Sequence, residues 1–261
     1  MQVLLSPEGV DYRVYHSFER KAKLAGSVVV EPGSAPHPWS AASAALQDLL
    51  AAQGLRHLRL EIILSDRFVH YQVLPWQSGI ISRKDWRAYA AHCFETVYGE
   101  SVRHWSVRFD IVPPGRESLA CAIQTELLDS LRNLAHEQNS RIVSVRPNFV
   151  FNINQRRSGL RKSQYWFAVV EPHQVCLAAY DNGYWVAVRN EVAPDGWRAA
   201  LPGILRRTQC TLAKPVTGDL YLCGNGVQDA ADFNIDATPV HILPIRTSHH
   251  RDSEAAGAVA N

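Results

Sequence analysis

The chain has 261 residues, of which 46% are hydrophobic and 20% are charged, an ordinary composition for a folded globular protein. Its 27 Lys and Arg residues nearly balance 25 Asp and Glu residues, so the formal net charge is only +2 and a strongly basic surface for nucleic acid is not expected. No apolar run approaches the roughly 18 residues of a membrane helix, and residues 1–7 lack the basic and apolar regions of a signal peptide. We expect a soluble cytoplasmic protein, which a partner could still hold at the inner membrane.

Three predicted strands open the chain, at residues 3–6, 10–18 and 25–30, and a Pro-Glu-Gly turn joins the first two as a hairpin. A helix is predicted to follow from Ser40, because leucines recur on one face, and to end before Gly54. The chain therefore begins as β-β-β-α.

Strands and helices then alternate as far as residue 145. The clearest helix runs from Ser82 to Gly99, because Ser82 and Asp85 form a capping-box pattern, apolar residues recur at helical spacing, and Gly99 ends the pattern. The other predicted elements are strands at 58–65, 68–74, 105–112, 119–123 and 142–145 and a helix at 125–138.

The polar, basic segment 152–164 is predicted to be the boundary between two lobes. After it, three strands precede a helix from Asp195, which Pro202 should kink or shift. The later strands are predicted at 166–170, 174–180, 184–189, 220–223 and 241–245. The expected organisation is a first lobe at 1–151, a basic linker at 152–164, a reduced second lobe at 165–247 and a disordered tail at 248–261.

Five cysteines are spread along the chain without a Cys-x-x-Cys pair, at Cys93, Cys121, Cys176, Cys210 and Cys223. Their odd number, and the apolar runs that hold four of them, are typical of reduced core residues and not of a disulfide framework or a zinc site. The adjacent His249 and His250 are expected to bind divalent metals only incidentally and not to form a functional site. We therefore expect no metal site.

Four segments of the first half carry a resemblance through their order. They are the strand 69–76 ending in Leu-Pro-Trp, the helix 86–98, the strand 119–123 and the strand with its closing proline at 143–147. In this order they resemble the actin-like cytoplasmic proteins of type IV pili and type II secretion, the PilM, GspL and MshI families. The β-β-β-α start that occurs twice is also the outline of the actin-like ATPase fold. The resemblance implies an α/β protein with two lobes of this ribonuclease H-like fold.

The resemblance fails at the phosphate turns. Active actin-like ATPases place an Asp-x-Gly turn in the first hairpin of each lobe, where the backbone approaches the phosphates and the carboxylate holds Mg²⁺ through water. Here the two hairpins read Ser6-Pro7-Glu8-Gly9 and Glu171-Pro172-His173-Gln174. Neither has the acid and the glycine in the required order, and the proline in the second removes an amide donor. We therefore expect a degenerate fold that has lost nucleotide hydrolysis.

Gly224 and Gly226 form a Gly-x-Gly turn after a predicted strand and resemble the turn that cradles adenosine in the actin-like superfamily. A tight surface turn explains the same pattern, so these glycines are weak candidates for a cofactor site. Since the sequence has no P-loop, no Gly-x-Ser-x-Gly elbow and no His-Glu-x-x-His motif, we expect no catalytic residue and no cofactor.

By resemblance, the chain would be a non-catalytic adaptor at the cytoplasmic face of a pilus or secretion assembly. Its partner would be a short cytoplasmic segment of a membrane protein or another soluble subunit. One alternative is a divergent actin-like ATPase or kinase that still binds ATP and Mg²⁺. Another is a regulatory protein that uses the basic stretch 156–162 on nucleic acid or anionic lipid.

The segment 76–81 is the candidate partner-binding surface. It places Trp76, Ile80 and Ile81 in a loop between a strand and a capped helix, and tryptophan is enriched at interface hot spots. A buried Trp76 would serve packing, whereas an exposed Trp76 would serve binding.

Overall fold

The computed structural model describes residues 1–15, 22–31, 37–110, 112–160, 162–228, 230, 232–235 and 238–244. In chain order its elements are β1 (Gln2–Ser6), β2 (Gly9–Tyr15), β3 (Ala22–Val29), α1 (Ser40–Ala52), β4 (Arg59–Leu64), β5 (Val69–Leu74), α2 (Arg83–Tyr98), β6 (Trp105–Phe109), β7 (Ser118–Gln124), α3 (Thr125–Glu137), β8 (Arg141–Pro147), α4 (Asn148–Arg156), β9 (Gln164–Glu171), β10 (Gln174–Asp181), β11 (Tyr184–Val192), α5 (Trp197–Thr211), β12 (Leu220–Gly224) and β13 (Val240–Ile242). Short 3₁₀ turns cover Asp66–Phe68 and Gly99–His104. The tail predicted to be disordered at 248–261, with His249 and His250, lies outside the described residues. Within the described residues, no helix has the length and apolar character needed to cross a membrane.

Two five-stranded sheets share one strand order. The first is β3-β2-β1-β4-β8 and the second is β11-β10-β9-β12-β13. Counted along the chain, the first three strands of each sheet pair antiparallel. The fourth strand along the chain pairs parallel with the first, and the fifth pairs parallel with the fourth. The β-β-β-α start predicted twice from the sequence is therefore confirmed as a structural repeat.

The first sheet is buried by two helices that also contact each other. α1 packs on β1 and β2, and α3 packs on β8. Leu46 and Leu50 of α1 and Leu127 and Leu131 of α3 are fully buried, as the helical spacing of the leucines predicts. Because β1 and β4 are covered on both faces, they read as nearly continuous apolar runs.

The second sheet is covered by α5, which packs on β10 and β11. Leu201 and Ile204 of α5 are buried in its core. The helix begins at Trp197, just after the predicted start at Asp195, and continues through Pro202.

A third, smaller sheet is inserted between β4 and β8. It has the antiparallel order β5-β7-β6, and α2 packs on β5 and β6. Its own core contains Leu74, Phe94 and Ala122, all fully buried. The sequence predicts these elements but does not indicate that they form a sheet of their own.

The structure differs from the predicted basic linker at 152–164. Residues 152–156 complete the helix α4, which contacts β4, β8 and β9 and so lies between the two five-stranded sheets. Phe149, Phe151 and Ile153 of this helix are buried. The junction of the two repeats therefore begins as a packed helix.

Candidate functional site

The turn between β1 and β2, the first of the two degenerate phosphate turns, is held by an ion pair. The guanidinium of Arg67, which follows β4, lies 2.6 Å from Glu8 Oε1. The two side chains are 33% and 35% exposed, so the pair contributes little to stability. Its effect is local: the one acidic side chain of this turn is paired with a cation of the protein itself.

The turn between β9 and β10 carries a buried carboxyl group that links the two large sheets. Glu171, the last residue of β9, accepts hydrogen bonds from Asn148 Nδ2 at 2.6 Å and from the Asp66 backbone amide at 3.1 Å. It also accepts one from Ser65 Oγ. These donors lie after β4 and at the start of α4, so the glutamate of the second turn is hydrogen-bonded to the first half of the chain.

Asp66 lies beside this link and is fully buried. Its Oδ1 accepts hydrogen bonds from Tyr71 Oη at 2.6 Å and from the Phe149 amide at 3.0 Å, whereas Oδ2 has no hydrogen-bond partner. Burial, and then the neighbouring Glu171 carboxyl group, raise the pKa of Asp66 well above its ordinary value, and burial also raises the pKa of Glu171. Two such groups favour retaining a proton over ionising together.

Asn190 of β11 adds a second polar link between the repeats. Its Nδ2 donates to the Asp66 carbonyl at 2.6 Å and to the Val69 carbonyl at 3.0 Å, and its Oδ1 accepts from Gln174 Nε2 at 2.6 Å. The segment 65–69 is therefore bound to the second sheet through both Glu171 and Asn190. Buried and satisfied polar links of this kind fix the relative position of the elements they join.

The glycines of the candidate adenosine turn have a structural explanation. Gly224 ends β12 at a φ of +123°, and a Cβ placed there would lie 2.0 Å from the Val170 carbonyl oxygen. The next amide, that of Asn225, donates to the same oxygen at 3.0 Å. The pairing of β12 with β9 therefore requires Gly224, while Gly226, at a φ of +71°, sits in an open turn. Contact with adenosine stays a prediction.

An apolar groove of about 460 Å³ lies at one end of the small sheet. Its walls come from the loop after β5, the first turn of α2, the end of β6 and the loop that precedes β7. The lining residues are Trp76, Ser78, Ile80, Ile81, Arg83, Trp86, Phe109, Asp110, Val112, Pro114 and Ser118.

All three residues predicted as a partner-binding surface line this groove. The Trp76 ring is half-buried, with its centroid 5.5 Å from that of Trp86, and Trp86 in turn lies 6.4 Å from Phe109. Ile80 is half-buried, whereas the side chain of Ile81 is 93% exposed. Trp76 is therefore neither a core residue nor a free surface residue, but one wall of a concave apolar surface.

Charged and polar groups stand at the edge of the groove. Arg83 lies in the first turn of α2, and Asp110 directly follows β6. Burial raises the pKa of Asp110, although the Arg157 charge acts in the opposite direction. The groove thus offers a large apolar area with one cation and one acid beside it, a composition suited to a peptide segment.

Sequence reasoning missed four residues of these two sites. Trp86 lies in the first turn of α2 and lines the groove, a position that the helical spacing of apolar residues does not distinguish from the core. The sequence does not mark Phe109 as a groove residue, because it has the apolar character of any strand residue. Its place in the groove depends on β6 ending at this position. Asp66 and Glu171 are far apart in sequence, and only the packing of the two sheets brings the segment after β4 to the end of β9.

No protein-family model matches the chain, and no curated protein matches its sequence. Solved structures do match it in three dimensions. A Bacteroides thetaiotaomicron protein with an actin-like ATPase fold and unknown function is similar with a TM-score of 0.60 and 12% sequence identity, over 93% of this chain and 89% of that chain. The chain has the actin-like ATPase fold.

Two assembly proteins share the actin-like fold of this chain over similar lengths. One is a chain of the PilM–PilN type IV pilus biogenesis complex, with a TM-score of 0.64 and 11% identity over 92% of this chain and 87% of that chain. The other is the cytoplasmic domain of EpsL, an inner membrane component of the type II secretion system of Vibrio cholerae, with a TM-score of 0.56 and 10% identity over 96% of this chain and 87% of that chain. The predicted resemblance to PilM-like and GspL-like proteins is confirmed as a likeness of fold.

Proposed function

We propose that this actin-like chain is a non-catalytic adaptor of a type IV pilus or secretion-type assembly, and that it binds a short apolar segment of a protein partner in the groove. The groove carries the proposal, because Trp76, Ile80 and Ile81 keep apolar area in contact with solvent between a strand and a capped helix. The similar chain in the PilM–PilN complex supports a protein partner. The similarity to the EpsL cytoplasmic domain supports a place at the cytoplasmic face of an inner-membrane assembly.

The absence of catalysis is part of the proposal and rests on the two turns. Neither turn has the Asp-x-Gly arrangement, Glu8 is paired with Arg67, and Glu171 is hydrogen-bonded to Ser65 and Asn148. The groups that would meet a magnesium-bound phosphate are therefore engaged with the protein.

A divergent ATPase or kinase is the second candidate function. The observation that favours it is the presence of two buried carboxyl groups, Asp66 and Glu171, near both hairpins, with Asp66 Oδ2 free of a hydrogen bond. A titration with ATP and Mg²⁺ separates this candidate from the adaptor.

The adaptor function is tested with Trp76→Ala and a matched control, Trp105→Ala. Both tryptophans are half-buried residues of the small sheet and its loops, but Trp105 stacks on His70 at 4.2 Å and does not line the groove. Each variant and the unaltered chain serve as bait in lysate of the source cells, and recovered proteins are identified by mass spectrometry. A synthetic peptide from the cytoplasmic segment of the recovered membrane protein is then titrated into each bait.

We expect Trp76→Ala to weaken peptide binding by about 2 kcal/mol or more, as truncation of an interface hot spot does, and Trp105→Ala to leave it unchanged. Loss of the Trp76 side chain should lower the melting temperature by no more than the control does. Equal peptide affinity for all three proteins would reject the groove as the binding site.

A further inference from the structure

The edges of the sheets differ in how they are protected. A free edge presents unpaired amide and carbonyl groups to any other strand, and proteins usually protect it with charged residues, prolines, bulges, short strands or a covering segment. Among the described strands, the edges are β3 and β8 in the first sheet, β11 and β13 in the second, and β5 and β6 in the third.

Five of these six edges carry a recognisable protection. The strand β8 has arginines, a proline and a register shift against β4, and β13 has only three residues. The strands β5 and β11 contact each other, and Asn190 of β11 donates to the Val69 carbonyl of β5. In β6, the Arg108 guanidinium donates to the outward carbonyl of Val107 at 3.0 Å.

The strand β3 has such protection only at its start, where Lys23 lies at a register shift against β2. Residues 24–29 read Leu-Ala-Gly-Ser-Val-Val, without a charge or a proline, and they pair in regular register with residues 9–14 of β2. Leu24 is 39% exposed and Val29 is 82% exposed. This apolar strand is long enough to accept a complete partner strand.

The hydrogen bonds to β2 show which groups of β3 face outward. The Val30 amide donates to the Glu8 carbonyl at 2.8 Å, and inward and outward groups alternate along an antiparallel strand. The even-numbered residues therefore bond to β2, and the amides and carbonyls of Ala25, Ser27 and Val29 point away from the sheet. These outward groups are the ones to which an added strand can bond.

We propose that β3 pairs with β3 of a second copy of this chain, antiparallel about a two-fold axis at Gly26. In this register Ala25 exchanges hydrogen bonds with Ser27 of the second copy, and Ser27 does so with Ala25, which gives about four bonds between the chains. The two first sheets then form one continuous sheet across the dimer. Such an interface is isologous, so each strand must complement itself.

The sequence of β3 meets this requirement for self-pairing. Leu24 lies directly opposite Val28 of the second copy, on the face of β3 whose Val28 packs against the core, so two apolar pairs form at the non-hydrogen-bonded positions. The only charged residue of β3, Lys23, lies at the start of the strand, away from the axis at Gly26, so the two lysines do not meet. At the axis, a Cβ on Gly26 would lie 2.8 Å from Tyr12 Oη, and a glycine in both copies leaves room for the two tyrosine rings.

The register is tested by cysteine cross-linking in a Cys210→Ser background, because Cys210 is the exposed native thiol. Leu24→Cys and Val28→Cys are made singly and together, and each protein is oxidised with a copper catalyst. Opposed cysteines at a non-hydrogen-bonded pair lie within disulfide reach, whereas equal positions of the two copies do not in this register. We therefore expect disulfide dimers from the double variant and from a mixture of the two single variants, and none from either single variant alone.

Sedimentation velocity on the unaltered chain should give a species of twice the 29.2 kDa chain mass, with a proportion that rises with concentration. Ser27→Pro removes an outward amide at an edge position that tolerates proline, and it should give a folded monomer. Val192→Lys changes an exposed apolar residue on β11 and should leave the dimer intact. A monomer at every concentration, or cross-linking of a single variant as efficient as that of the double variant, would overturn the proposal.

Discussion

Among the polar side chains that link the two repeats, Asp66 and Glu171 are the most unusual. A carboxyl group that is fully buried ordinarily needs several donors, and Glu171 has three, while Asp66 has two on one oxygen and none on the other. Burial therefore raises the pKa of Asp66 further than these hydrogen bonds can lower it. The cost of this arrangement should appear in the pH dependence of stability.

Asp66→Asn tests that expectation. In the unfolded chain the carboxyl ionises near its ordinary pKa of about 3.9, whereas the native carboxyl keeps its proton to higher pH. Between these two values the native state binds more protons, so the free energy of unfolding falls as pH rises. The asparagine cannot ionise, and its oxygen still accepts from Tyr71 and Phe149. Urea unfolding across this range should show that the variant gains stability relative to the unaltered chain as pH rises, and parallel profiles would contradict the assignment.

At the scale of elements, α2 and α4 show what could and could not be predicted. The helix α2 was predicted almost to the residue, because its cap, its apolar spacing and its terminal glycine are all local signals. The helix α4 was missed because Asn148, Asn152 and Arg156 give it the composition of a loop. In the structure these side chains bond each other along the helix, with Asn152 Nδ2 2.8 Å from Asn148 Oδ1 and Arg156 2.7 Å from Asn152 Oδ1.

The cap of α2 is the local feature that holds one wall of the groove. Ser82 Oγ accepts from the Asp85 amide at 3.1 Å, which satisfies one free donor of the first turn. Ser82→Ala should lower the free energy of unfolding by about 1 kcal/mol, and Ser82→Asn should restore most of it, because asparagine caps equally well. Denaturant unfolding of the three proteins measures both effects, and an alanine variant as stable as the unaltered chain would show that the cap does not hold the helix.

At the scale of the whole molecule, the two large sheets share one strand order. This repeat was predictable, because each half opens with three strands and a helix that local sequence patterns indicate. The loop 76–81 was singled out from its composition and its tryptophan, and it lines the groove, while its role in partner binding stays a prediction. The separate small sheet, the second wall of the groove and the meeting of Asp66 with Glu171 were not predictable, because they depend on contacts between residues far apart in sequence.

We expect no magnesium-dependent binding of ATP at micromolar concentrations. Binding would need backbone amides and a metal-holding acid from both turns, but Glu8 is paired with Arg67, and Glu171 is bound to Ser65, Asn148 and the Asp66 amide. A ligand that binds only the native state raises the melting temperature as its concentration passes the dissociation constant. A thermal-shift titration with ATP and Mg²⁺ should therefore leave the melting temperature unchanged, and calorimetry should detect no heat of binding. A saturable shift that requires Mg²⁺ and is lost in Asp66→Asn or Glu171→Gln would instead establish the divergent ATPase, with these two carboxyl groups at its metal.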